Sequence, residues 1–228
     1  MVVRAGQGAD LRAVPRGYPG VSGEWGIEVN HTADRRARAE HLAKVISSRR
    51  FLEKQGLGNE VPFFICSFDP EDGVTMPEDR ADLVARLGHS GVRVLDIDLY
   101  DLSLQILEDR GILGQLLDIE AETEKAELKE LLQGVLDVQE HLIPAIARRI
   151  ADHPHDVIFL SGIGEVYPFL RSHNVLNNLQ STAKDRPTVM FFPGKYTHAL
   201  ATGASLELFG LLHDDKYYRA FNIMNYEV

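Results

Sequence analysis

Two apolar textures alternate along the chain and together predict an α/β fold. Short continuous apolar runs occur at "EVPFFICSFD" (60–69), "VRVLDIDLY" (92–100), "HDVIFLSG" (155–162) and "PTVMFFPG" (187–194). Runs of that length read as strands, and those apolar on both faces belong in the middle of a parallel sheet. Between them the period becomes helical. From Thr32 onward, Ala39, Leu42, Val45, Ile46 and Phe51 can share one face, up to the stop signals Gly56 and Gly58. "PEDRADLVARLGHSG" (77–91) has Pro77 and acids in its first turn and Gly91 beyond its end, the arrangement expected of a helix. Strand, helix and strand within about thirty residues predict a right-handed parallel crossover.

Residues 101–150 keep the helical period without a strand, far longer than one crossover needs, and predict an inserted helical hairpin or small subdomain. "SLELFGLL" (205–212) and "YYRAFNIM" (217–224) lie close together across "HDDK", which predicts an antiparallel hairpin at the C-terminal edge. The sum is a three-layer α/β sandwich: a mostly parallel sheet, an antiparallel C-terminal edge and a helical insertion. Residues 1–31 show neither period and are rich in glycine, with Pro15 and Pro19; they read as a flexible extension to a single domain spanning 32–228.

Composition narrows the function. The net charge is −10, but residues 1–50 hold nine Lys/Arg against five Asp/Glu, so a balance of +4 there leaves −14 on the rest. Residues 101–140 alone carry eleven acids and three bases. An acidic body is not drawn to DNA or to an anionic membrane, so direct DNA contact is expected only through the basic N-terminal segment. No apolar run approaches the roughly eighteen residues that span a bilayer, and nothing at the N-terminus reads as a secretory signal. The single cysteine, Cys66, cannot form an internal disulfide, and a reducing cytoplasmic setting is expected.

The stretch most suggestive of chemistry is "SGIGEVYPFLRSHNVLNNLQ" (161–180). Ser161, Gly162 and Gly164 follow the third strand, where open parallel sheets place ligands, and their small size would let backbone N–H groups reach an anion. With no third glycine to complete a dinucleotide motif, the same residues read more simply as a plain tight turn. A phosphate-binding loop after the first strand is absent: "SFDPEDGVTM" has acids and no lysine. Asp96 and Asp98 share one side of the second strand, and Asp69 or Asp98 would be the carboxylate for any metal-assisted ligand site.

Pro168 suits a first helical position, and Phe169, Leu170, Leu176 and Leu179 trace an apolar stripe that includes His173, read as a hydrogen-bonded structural residue. Arg171, Asn174 and Asn178 share another face, fit either for a partner or for solvent. With Tyr167 and the loop Pro193-Gly194-Lys195-Tyr196 they form the expected partner surface, since both segments follow parallel strands. His153-x-His155 lacks the companions of a zinc site, His213-Asp214-Asp215 reads as a solvated turn, and Cys66 as a buried structural thiol. No catalytic, cofactor or metal site is expected.

The segments "RRFLEKQGLGNEVPFFICSFDP", "VLDIDLYDL", "VIFLSGIGEVYPFLRSHNVLNNLQ", "TVMFFPGKY", "SLELFGLL" and "DDKYYRAF" together resemble the BrxB family, a component of bacterial BREX phage-exclusion systems. The resemblance covers about residues 35–224. It implies a non-catalytic part encoded beside the alkaline-phosphatase-like protein PglZ, a large ATPase and a DNA methyltransferase, with PglZ as direct partner. It carries over no enzymatic residues and no cofactor.

Overall fold

The computed structural model describes residues 31–55, 61–199, 203–214 and 220–228. The expected extension over 1–31 lies outside them except for His31, which opens helix α1 (His31–Ile46). The single helical run expected up to Gly56 breaks at Ser47 and Ser48. Ser48 caps the short α2 (Arg49–Leu52) by accepting from the Phe51 N–H at 3.2 Å.

Four strands appear where the apolar runs predict them: β1 (Phe63–Phe68), β2 (Val94–Asp98), β3 (Val157–Ser161) and β4 (Thr188–Ala199). With β7 (Phe221–Asn222) they are ordered β2-β3-β4-β1-β7, and every neighbouring pair along this path is parallel. Successive side chains point to opposite faces, so β1 sends Phe64, Cys66 and Phe68 into one core and Phe63 and Ile65 into another. The first core is covered by α1, α2 and α3 (Met76–His89). The second is covered by α4 (Leu99–Asp109), α5 (Leu113–Glu120), α7 (Ile143–Asp152) and α8 (Ser172–Leu179). That is the three-layer α/β sandwich.

The helical run 101–150 is built into this second layer. Leu102, Ile106 and Leu107 of α4 and Ala145 and Ile146 of α7 lie in the sheet core, whereas α6 (Lys125–Val135) buries no residue fully. A π-helical turn at Val138–Leu142 joins α6 to α7. Pro168 does not start a helix: it follows a cis peptide bond to Tyr167, and α8 begins only at Ser172.

The C-terminal edge differs from expectation. The loop Pro193-Gly194-Lys195-Tyr196 is strand: β4 runs on to Ala199, leaving parallel β1 at Pro193 and pairing antiparallel with β5 (Gly203–Leu208). The run 205–212 is not one strand, because Phe209 and Gly210 sit at φ 57° and 68° and turn the chain into β6 (Leu212–Asp214). His213 and Asp214 therefore belong to a strand rather than a turn, and Asp215 lies outside the described residues. Phe221–Asn222 does not pair with this ribbon but adds in parallel to β1. The Tyr196 hydroxyl ties the two regions by donating to the Ala220 carbonyl at 2.5 Å, and burial pushes its pKa up to about 12.

At the opposite edge, Asp156 before β3 binds Arg93 before β2 through its backbone N–H at 2.9 Å and its guanidinium at 3.0 and 2.8 Å. The hydrogen bond from Arg93 holds the Asp156 carboxyl down at about 2. Because the folded pKa lies below the unfolded value of about 3.9, this tie stabilises fully above that value and is lost as pH falls through about 2. Carbon-detected NMR titration should show Asp156 return toward the ordinary carboxylate range in Arg93→Ala, with part of the acid-side slope of stability removed.

Candidate functional site

Connections leave the sheet toward opposite layers at its carboxyl edge: β1 feeds α3 on one face, whereas β2 and β3 feed helices on the other. Such a crevice is where doubly wound sheets hold ligands. Here the chain's own Asp98, at the end of β2, forms part of its wall and caps the helix that follows. Its Oδ1 accepts from the N–H groups of Tyr100 at 2.9 Å and Asp101 at 3.3 Å, capping α4, and its Oδ2 accepts from the Ser161 hydroxyl at 2.9 Å. Register explains the second bond, since Asp98 and Ser161 are paired across β2 and β3.

Arg80 closes the arrangement. It falls on the buried stripe of α3 with Met76, Leu83 and Leu87, so only 14% of its side chain is accessible. The guanidinium donates to Asp96 at 3.1 Å and lies 3.7 Å from Asp98. Desolvation raises the Asp96 pKa despite that attraction. Nothing in the sequence pattern pairs Arg80 with these acids.

The expected anion loop, Ser161, Gly162 and Gly164, packs against this cap. Gly162 has φ +76°, and a Cβ there would stand 2.5 Å from Asp98 Oδ1 and 2.9 Å from the Tyr100 nitrogen. The glycine is needed for that approach. The next helix, α8, starts well beyond the loop. Asp69, the other carboxylate considered for a metal, is exposed and caps a 3-10 turn through the Glu71 N–H at 3.0 Å. Among the described residues no group of three or more His, Cys, Asp or Glu is placed to hold a metal ion. His153 and His155 bond to nearby backbone carbonyls through Nδ1 at 3.0 and 2.7 Å. His173 is buried within α8, and Cys66 is fully buried, its thiol pushed up to about 12 by desolvation.

The residues expected at a partner surface divide. Arg171 is exposed and lies over the half-buried Tyr167 ring, 5.9 Å from its centroid. Both line an apolar groove of about 260 Å³ with Ile163, Leu170, Leu206 and Leu208. Asn174 is exposed, but Asn178 donates to the Asn174 carbonyl at 2.8 Å and accepts from Gln139 at 2.9 Å, fastening α8 to the π turn. Lys195 is exposed opposite Glu207, while Pro193, Gly194 and Tyr196 are buried. The two segments do meet: a Cβ on Gly164 would stand 3.0 Å from Pro193 and 3.2 Å from Phe209.

A second cavity of about 260 Å³ opens beside this contact, with Phe68, Met76, Arg80, Asp98 and Phe209 among its walls. Sequence reasoning missed Arg80, Phe209 and the ribbon leucines. The one available signal was Gly210 inside an apolar run, a hairpin turn marker.

Arginines of the basic first helix are already engaged: Arg35 with Asp79, Arg36 with Glu40 and Arg38 with Asp72. Among the described residues no helix is long and apolar enough to cross a membrane.

A family model described as "BREX protein BrxB" matches residues 95–223, from β2 through the ribbon to β7. A relative from Bacillus cereus (strain H3081.97), named "BREX protein BrxB", is 34% identical over 192 residues, covering 82% of this chain and 96% of its own. One of the same name from Escherichia coli O9:H4 (strain HS) is 26% identical over 187 residues, covering 82% and 90%. No solved structure matches the chain.

Gly162→Ala should cost about 1–3 kcal/mol in urea unfolding, since it meets both strain and a backbone clash. Gly88→Ala in α3, where a Cβ meets nothing within 4 Å, should instead stabilise by about 0.4–1 kcal/mol. Equal effects would contradict the assigned close approach.

Proposed function

Because the chain belongs to the BrxB family, and so is a component of a BREX phage-defence system, we propose that it acts there as a non-catalytic adaptor that docks a PglZ-like protein. One observation carries this reading. The helix N-terminus and small-residue loop that would cradle a phosphate are filled by the chain's own Asp98, whose Oδ1 takes the amides of α4 at 2.9 and 3.3 Å.

The nearby cation is committed in the same way, since Arg80 reaches both Asp96 and Asp98. A ligand phosphate entering there would have to displace a capping carboxylate and separate a partly buried ion pair. Beside that capped helix end, the same edge presents a groove with Tyr167 and Arg171 at its rim, which suits surface recognition.

Tagged full-length chain, expressed with the other components of its BREX system, should retain the PglZ-like protein through purification at moderate salt. Arg171→Glu should cut the retained amount about tenfold or more, with an unchanged thermal midpoint. A folded bait that retains no component would contradict the adaptor reading, and full retention by Arg171→Glu would contradict the surface assignment.

A further inference from the structure

The turn between β5 and β6 holds a residue that local physics disfavours. Leu211 donates its N–H to the Leu208 carbonyl at 3.1 Å, with Phe209 and Gly210 between them at φ 57° and 68°. This mirror-image geometry favours Asn, Asp or Gly at both central positions, and a bulky aromatic there is strained. The ring is nevertheless 38% exposed, so burial does not repay the strain in full. Its neighbours are more open still: Leu211 is 80% exposed and Leu212 38%.

The Phe209 turn divides the two cavities. Ile163, Leu208 and Leu211 line one; Gly164, Pro193 and Phe209 line the other, whose mostly apolar wall also carries the paired Arg80 and Asp98 and the exposed Glu165. Each measures about 260 Å³, under the range of roughly 300–1,000 Å³ typical of small-molecule sites and close to the size of one large side chain. Charge sets the character of the occupant. Arg35, Arg36, Arg38, Arg49, Arg80 and Arg93 each reach a carboxylate, whereas Arg171, at the rim of the first cavity, lies over the Tyr167 ring with no carboxylate within ion-pair distance among the described residues, as Arg50 does over Tyr226. A guanidinium with no acid beside it among the described residues is complementary to a carboxylate from outside, most strongly to a bidentate one.

Building on the adaptor reading, we infer that this edge recognises one extended, acidic segment of a partner protein, with two large apolar side chains seated in the paired sockets and a carboxylate on Arg171. Phe209 is the ridge between the sockets, and its retained strain is the cost of that shape. Anchors of this kind concentrate binding energy in a few side chains.

The test uses purified full-length chain and overlapping synthetic peptides spanning the co-encoded BREX components. Peptides that bind should carry Asp or Glu together with two large apolar residues. Their affinity by fluorescence polarisation should fall roughly thirtyfold in Phe209→Asn and in Arg171→Glu. Asn suits the turn, so the thermal midpoint of Phe209→Asn should be unchanged or higher, separating a binding role from a folding role. Binding that neither substitution weakens would overturn the proposal, as would a complete absence of binding peptides. If full-length components still co-purify in either case, the adaptor reading survives and only the socket model falls; if they do not, both fall.

Discussion

One carboxylate organises the functional edge of this protein. Asp98 ends β2, caps α4, takes the Ser161 hydroxyl from the neighbouring strand and faces Arg80 from the opposite helical layer. Those contacts join both layers to the sheet at the point where open α/β folds keep their ligands. They also dictate the adjoining sequence, because only a glycine at 162 leaves room for the carboxylate and the α4 amides. The anion that a nucleotide-binding α/β fold imports to such a helix N-terminus is here part of the chain. Catalytic use of the crevice would require undoing a cap and an ion pair that hold the fold.

With the α4 N-terminus capped from within, the rest of this edge is shaped by the long strand β4 and its ribbon. By running past Pro193, β4 leaves the parallel sheet and supports β5 and β6 beside the segment after β3. The outcome is an edge with a cavity on either side of the Phe209 turn and Arg171 set over the Tyr167 ring. The proposed recognition of another BREX component rests on that surface.

Much of this was legible in the sequence, for reasons that also explain the rest. β1 and β3 announce themselves as unbroken apolar runs because both of their faces are buried, and α3 carries Pro77 and Gly91 at its ends. The continuation of β4 was hidden because Pro193 and Gly194 read as a stop. In the fold Pro193 marks a change of partner strand, and Gly194 lets β4 lie against Glu207, where a Cβ would stand 2.0 Å from the carbonyl oxygen. The ribbon register was hidden by an apolar run that conceals its turn at Gly210.

Of the face read from helical spacing, Arg171 and Asn174 are exposed, whereas Asn178 is bonded to Gln139 of the π turn. Phe209 was invisible because propensity argues against an aromatic in that conformation, and a residue that violates local preference is seen only once its surroundings are in place. Arg80 was missed for a different reason: its pairing depends on the strand order, which puts β4 and β3 between β1 and β2 and so carries α3 across the sheet to the acids of β2.

The account stands most directly on calorimetric titration of the full chain with magnesium-ATP. An Asp98-filled cradle predicts no saturable heat at millimolar nucleotide. Saturable binding with a micromolar Kd would show that the crevice is open to a phosphate and would contradict the assignment of this edge to protein recognition.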